Sequence, residues 1–160
     1  MKNFKLKTHY KKILADTISP VSVYLKIRDQ FPNSILLESS DYHGNDNSFS
    51  YICCNPIASI KVEANLITKT YPDHTFETKT VESDMVTAEI DAFTKQFETQ
   101  NDKTFKFINN GMFGFTAYDA VKYFEDITIS KKDHSIEIPD MYYAVYQNII
   151  AINHFKNEAY

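Results

Sequence analysis

Glycine is scarce in this chain, with three among 160 residues, and two of the three stand together in "GMFGFTAYDAVKYFED", residues 111–126. Glycine within a strand weakens it unless the missing side chain is needed. Gly111 and Gly114 therefore predict a close backbone approach, made either by a neighbouring element or by a ligand. Phe113, Phe115 and Tyr118 are expected to pack around it. From Tyr118 onward, Val121, Lys122 and Glu125 fall at helical spacing, so a strand should feed a short helix with no loop between.

The remaining elements are punctuated by proline, asparagine and hydrophobic period. "FKLKTHYKKILAD" alternates well enough in places for a first strand, and a helix is the alternative. "ISPVSVYLKIRDQF" predicts a helix with Ser19 as N-cap, Pro20 at its first position and Val21, Tyr24 and Leu25 on one face, ended by Pro32 and Asn33. "SILLESS" is a short apolar strand followed by the turn-rich "DYHGNDNS". "FSYICC" is the next strand, and Asn55-Pro56 is expected to stop it. "IASIKVEA", "LITKTYP" and "TFETKTV" follow at hairpin spacing. "SDMVTAEIDAFTKQFET" predicts the clearest helix, with Val86, Ile90, Phe93 and Phe97 stacked on one side. "SKKDHS" is a solvated loop before the long strand "MYYAVYQNIIAIN". Several strands and about three helices predict an α+β fold, antiparallel sheets packed with a few helices, in one domain over 1–160. The end, just past an apolar strand, fits a natural terminus or a chain cut from something longer.

Composition narrows the function classes. Hydrophobic residues make up 43% and charged residues 24%, an ordinary globular balance. The net charge is -4 and the basic residues are dispersed, which argues against a nucleic-acid surface. No apolar run is long enough to span a membrane and no signal-peptide core follows the basic start, so a cytoplasmic protein is expected. Cys53 and Cys54 are adjacent, point to opposite faces of a strand, and predict buried reduced thiols rather than a disulfide or metal pair. The five histidines show no metal-binding spacing, and no phosphate loop, dinucleotide fingerprint or nucleophile elbow is present.

The glycine stretch resembles the "GG..GY..YD.VR.FE" signature of anthranilate synthase component I. Gly111, Gly114, Phe115, Tyr118, Asp119, Val121, Lys122, Phe124 and Glu125 occupy matching places, with Met112 for the second glycine and Lys122 where arginine is common. "SPVSVYLKIR" is similar to the family's "TPVS.YLKLR", and "SILLESSD" to its "LLES" block. "FSYICCNP" resembles "YSFIG..P", with Cys53 for glycine and Ser48 where a basic residue is frequent. "IPDMYYAVYQNIIAINHFK" resembles "PDM...YD...V.DH.K", with Gln147 and Asn153 where acids are usual. Five blocks agree in order across nearly the whole chain.

That resemblance implies the N-terminal regulatory domain of a longer lyase subunit. The parent enzyme would convert chorismate and ammonia, delivered by a glutamine amidotransferase component II, to anthranilate and pyruvate. Its C-terminal chorismate-binding domain would carry the substrate site and the Mg2+ ligands, so no catalytic residue and no cofactor is expected within these residues. The resemblance further implies a tryptophan feedback pocket. In a regular strand Ile35, Leu37 and Ser39 share one face, while Leu36, Glu38 and Ser40 share the other. Ser39 is then a hydroxyl at the end of an apolar row, suited to an ammonium beside an indole. Ser39 matches the family's serine, Glu38 lies beside it, Leu37 supplies apolar contact, and Pro20 is placed near by the same analogy. Asp119 and Glu125 are expected to pair locally or face solvent, and the "YDAVKYFE" helix to brace the missing domain. Aminodeoxychorismate synthase component I is the nearest alternative, and a stand-alone ligand-binding or interaction module the alternative from another class.

Overall fold

The computed structural model describes residues 2–38, 48–99, 107–127, 129 and 138–160. Its strands are β1 (Phe4–Leu6), β2 (Ile13–Leu14), β3 (Ile35–Leu37), β4 (Phe49–Glu63), β5 (Leu66–Thr70), β6 (Phe76–Thr80), β7 (Phe97–Thr99), β8 (Phe113–Thr116), β9 (Met141–Asn153) and β10 (Glu158–Ala159). Two α-helices, α1 (Pro20–Ile27) and α2 (Val86–Thr94), and a 3-10 helix at Tyr118–Tyr123 complete the main elements. The registered strand pairs are antiparallel, so the α+β expectation holds. The chain divides into two compact units, and β4 and β9 each contribute residues to both.

The first unit comprises residues 1–5, 57–98 and 112–145. Ala58, Ile60 and Val62 alternate inward along β4, and Ile67 and Lys69 face them from β5. Phe4, Tyr71, Phe93 and Phe97 form an aromatic chain with ring centroids 5.1–5.9 Å apart. Phe97 was expected to extend the α2 stripe but stands on β7. The helix ends at Thr94, and the ring rejoins Phe93 from a strand. Buried Lys69 is neutralised by Glu89 of α2 at 2.5 Å, and Lys79 reaches the other carboxylate oxygen. These two lysines lower the Glu89 pKa against its partial burial.

The glycines also lie here. A Cβ built on Gly114 would stand 1.9 Å from the Tyr142 backbone oxygen, because β8 pairs with β9 in that register. The close approach is made by the protein's own strand. Gly111 meets nothing within 4 Å but adopts φ +127°, so its requirement is conformational. Phe113 is buried, whereas Phe115 and Tyr118 are exposed, contrary to the expectation that all three pack inward. The strand does feed a helix after one residue, and Ala120 and Tyr123 are its buried side.

The second unit comprises residues 6–56, 99–111 and 146–160. The amphipathic first stretch resolves into β1 and β2 rather than one element. Ser19 caps α1, accepting the Ser22 N–H at 3.4 Å, and Pro20 takes the first helical position and is buried. The packed face is Val23, Tyr24 and Ile27, which join Leu36, Ile52, Ala15, Ile152 and Ala159. Val21 and Leu25, expected on that face, are 43% and 50% exposed. Asn55-Pro56 does not stop β4. Asn55 takes a left-handed φ of 60° and stays exposed, and the strand continues through the dipeptide to Glu63. Cys53 and Cys54 are free and buried, and burial pushes the Cys53 thiol up to about 12. After β9 the chain turns and returns as β10, which pairs with both β9 and β2.

Candidate functional site

The short strand β3 carries one of the predicted binding residues, Leu37. It pairs with β4 so that Ile35 faces Cys53, Leu36 faces Ile52 and Leu37 faces Tyr51. Alternation then gives the strand two chemically different faces. Leu36 and Ile52 lie under α1, in the cluster with Val23, Tyr24 and Ile27. Leu37 lies on the other face with Tyr51, whose ring stacks on Phe49 at 6.2 Å. Phe107 meets Phe49 at 5.4 Å and Tyr160 at 4.8 Å, extending an aromatic row. Tyr51 is half-buried there, and its hydroxyl accepts the Ile108 N–H at 3.2 Å. Desolvation raises its pKa.

The predicted residues fall at different places. Pro20 starts the helix on the Leu36 face, whereas Leu37 belongs to the Tyr51 face and is 36% exposed. Glu38, exposed and engaged in an interaction of its own, follows the last strand residue. Ser39 lies outside the described residues. The strand's start is fixed from below by two phenols: Tyr24 donates to the Ser34 carbonyl at 3.2 Å and Tyr146 to the Asn33 carbonyl at 2.9 Å. What the described residues offer on this face is aromatic and aliphatic surface from Leu37, Tyr51, Phe49 and Phe107.

Two other polar clusters require a chemical test. Ser50 Oγ lies 2.7 Å from His154 Nε2, the spacing of a nucleophile and its base. Ser50 has no exposed surface, so no substrate reaches its hydroxyl. The pair, with the His154 N–H on the Ser48 carbonyl at 3.1 Å, ties the turn after β9 to β4. In the first unit Asp140 accepts from Lys122 at 2.8 Å, the Tyr123 hydroxyl at 2.6 Å and the Ala64 N–H at 3.0 Å. Burial opposes its charge, yet these donors hold its carboxyl below the ordinary value. Tyr123 is pushed up to about 12 by burial first and by Asp140 second. This network joins two of the sequence blocks, through Lys122 of one and Asp140 of the other. Asp140 stands in the block "IPDMYYAVYQNIIAINHFK", but only the fold brings it to Lys122 and Tyr123. Among the described residues no three His, Cys, Asp or Glu side chains gather as a metal site. No described helix is long and apolar enough to cross a membrane.

No family model matches the chain. Curated proteins do. It is 27% identical over 153 residues to anthranilate synthase component 1 of Lactococcus lactis, covering 92% of this chain and 30% of that protein. This chain is similar to anthranilate synthase component 1. The component 1 of Thermus thermophilus is also 27% identical, over 96% of this chain and 31% of its own length. Aminodeoxychorismate synthase component 1 of Bacillus subtilis is 27% identical over 144 residues, 90% of this chain. A crystal structure of anthranilate synthase component I from Streptococcus pneumoniae aligns with TM-score 0.49 and 23% identity, covering 95% of this chain and 31% of that one. The chain thus spans about 30% of the length of the curated relatives it matches.

Proposed function

We propose that the chain is the N-terminal regulatory region of an anthranilate synthase component 1, binding L-tryptophan as a feedback effector at the end of β3. The observation that carries this is similarity to component 1 proteins along 92% of the chain and only 30% of the relative. The chemistry, chorismate and ammonia to anthranilate and pyruvate with Mg2+, belongs in this proposal to a chorismate-binding part of a longer cytoplasmic polypeptide. Ammonia would come from a glutamine amidotransferase component II. In this proposal the indole lies along Leu37 and Tyr51, and Ser39 and Glu38 are the groups that meet the ammonium. The Bacillus subtilis relative, equally identical, supports a second assignment to aminodeoxychorismate synthase component 1.

Tryptophan titration by calorimetry tests the site, on this chain and on a longer polypeptide containing it. The chain has no tryptophan of its own, so bound indole fluorescence is a second readout. A hydroxyl-to-ammonium bond contributes roughly 1.5–3 kcal/mol. Ser39→Ala should therefore weaken binding about 10–150-fold while leaving uninhibited turnover unchanged. Unchanged affinity in a folded variant removes Ser39 from the site. If the longer polypeptide makes no anthranilate from chorismate, ammonia and Mg2+, the family assignment fails instead, and aminodeoxychorismate as product selects the second one.

A further inference from the structure

The outer edge of β6 has the hydrogen-bonding parity and the charge order of a self-complementary strand. β6 pairs with β5 on one side, and among the described residues it has no strand on the other. All five of its residues, Phe76, Glu77, Thr78, Lys79 and Thr80, are exposed. Its parity follows from the two bonds that bracket it. The Tyr71 N–H donates to the Thr75 carbonyl at 3.0 Å, and the Val81 N–H to the Asn65 carbonyl at 3.1 Å. Hydrogen-bonded pairs in an antiparallel ladder recur at every second residue. Glu77 and Lys79 therefore complete the bonds to β5. Phe76, Thr78 and Thr80 direct their N–H and C=O groups outward.

We propose that this edge joins two copies of the chain, β6 against β6, antiparallel about a two-fold axis at Thr78. In that register Thr78 bonds Thr78 of the second copy, and Phe76 and Thr80 exchange bonds with Thr80 and Phe76. Glu77 then stands opposite Lys79 in both directions. These charged residues form the non-hydrogen-bonded pairs, where cross-strand side chains are closest. Both sit on the face turned toward α2, because Lys79 reaches Glu89 and the Tyr71 hydroxyl donates to Glu77 at 3.0 Å. A lysine on an open edge ordinarily discourages pairing. Here its match stands two residues away on the same strand, so a charge-complementary strand is admitted and others are refused. A shift of one residue would oppose side chains of the wrong face and lose the outward bonds.

Light scattering on the 160-residue chain, at up to about 1 mM, tests this. The mass should rise from the 18.6 kDa of one chain toward twice that value. Glu77→Lys and Lys79→Glu each place like charges opposite one another and should be monomeric alone. Mixed in equal amounts they restore both opposite-charge pairs, and the doubled mass should return. Thr78→Pro removes an outward N–H without removing a bond to β5, so it should keep the circular dichroism of the parent and lose the dimer. A parent chain that stays monomeric overturns the proposal. So does a dimer indifferent to Thr78→Pro, or a mixture that fails to recover mass.

Discussion

Gly114 and Gly111 are the same residue type retained for different reasons, and substitution separates them. Gly114→Ala places a methyl against a strand carbonyl that cannot rotate away, so β8 must part from β9. Its cost should be on the order of 3 kcal/mol in urea unfolding. Gly111→Ala has room and only the backbone penalty of a positive φ, about 1–3 kcal/mol. Asp140 is the other residue whose environment sets a measurable property. Its folded pKa is depressed, so the stability it contributes is complete above the ordinary value of 3.8 and is lost as pH falls through the folded value. Asp140→Ala should cost about 2 kcal/mol near pH 7, in line with hydrogen bonds to a charged group. Melting temperatures of parent and variant should converge as pH falls below the depressed folded value, and a gap that persists in strong acid would assign the effect to packing. Sequence alone showed that Gly111 and Gly114 were needed. It could not say which met a neighbour, because the answer depends on the register of β8 against β9, a strand that begins only at Met141.

At the scale of elements, the strands and helices of this chain were largely legible, and their faces less so. α1 was placed correctly from Ser19 and Pro20, because capping is a local effect. Of its expected buried side only Tyr24 packs, because "PVSVYLKI" is apolar on more than one stripe. Positions 20, 23, 24 and 27 follow the i, i+3, i+4, i+7 spacing best, and they face β3. The difference should appear on truncation. Ile27→Ala should cost about 2 kcal/mol, whereas Leu25→Ala should stay within about 0.5 kcal/mol. Equal losses would mean that both stripes are packed. β4 misled in the opposite way. A proline normally ends a central strand, but Asn55 takes up the left-handed turn that lets this one pass. Of the predicted binding strand, Ile35–Leu37 and its alternation were readable, while the helix lying on one face was not, since that requires knowing what covers β3.

For the whole molecule, two compact units stand where the chain length suggested one domain, and the two long strands explain why no linker marked the boundary. The boundary falls between Pro56 and Ile57 in β4 and between Val145 and Tyr146 in β9, inside continuous strands rather than in a loop. The second unit holds a feature with a practical use. Cys53 and Cys54 sit side by side in β4 with 0% and 5% of their surface exposed, and the Cys53 thiol titrates far above neutrality. Neither can react with a labelling reagent until that stretch of strand opens. The rate of thiol modification is therefore a clock for opening of the second unit, and it needs no assay for turnover. Native protein should label orders of magnitude more slowly than protein in urea. Any compound that grips β3 against β4 should slow the clock further, in proportion to its concentration over its dissociation constant. L-tryptophan and a panel of other amino acids can be ranked this way, and no slowing by any of them would mean that none of them binds the second unit.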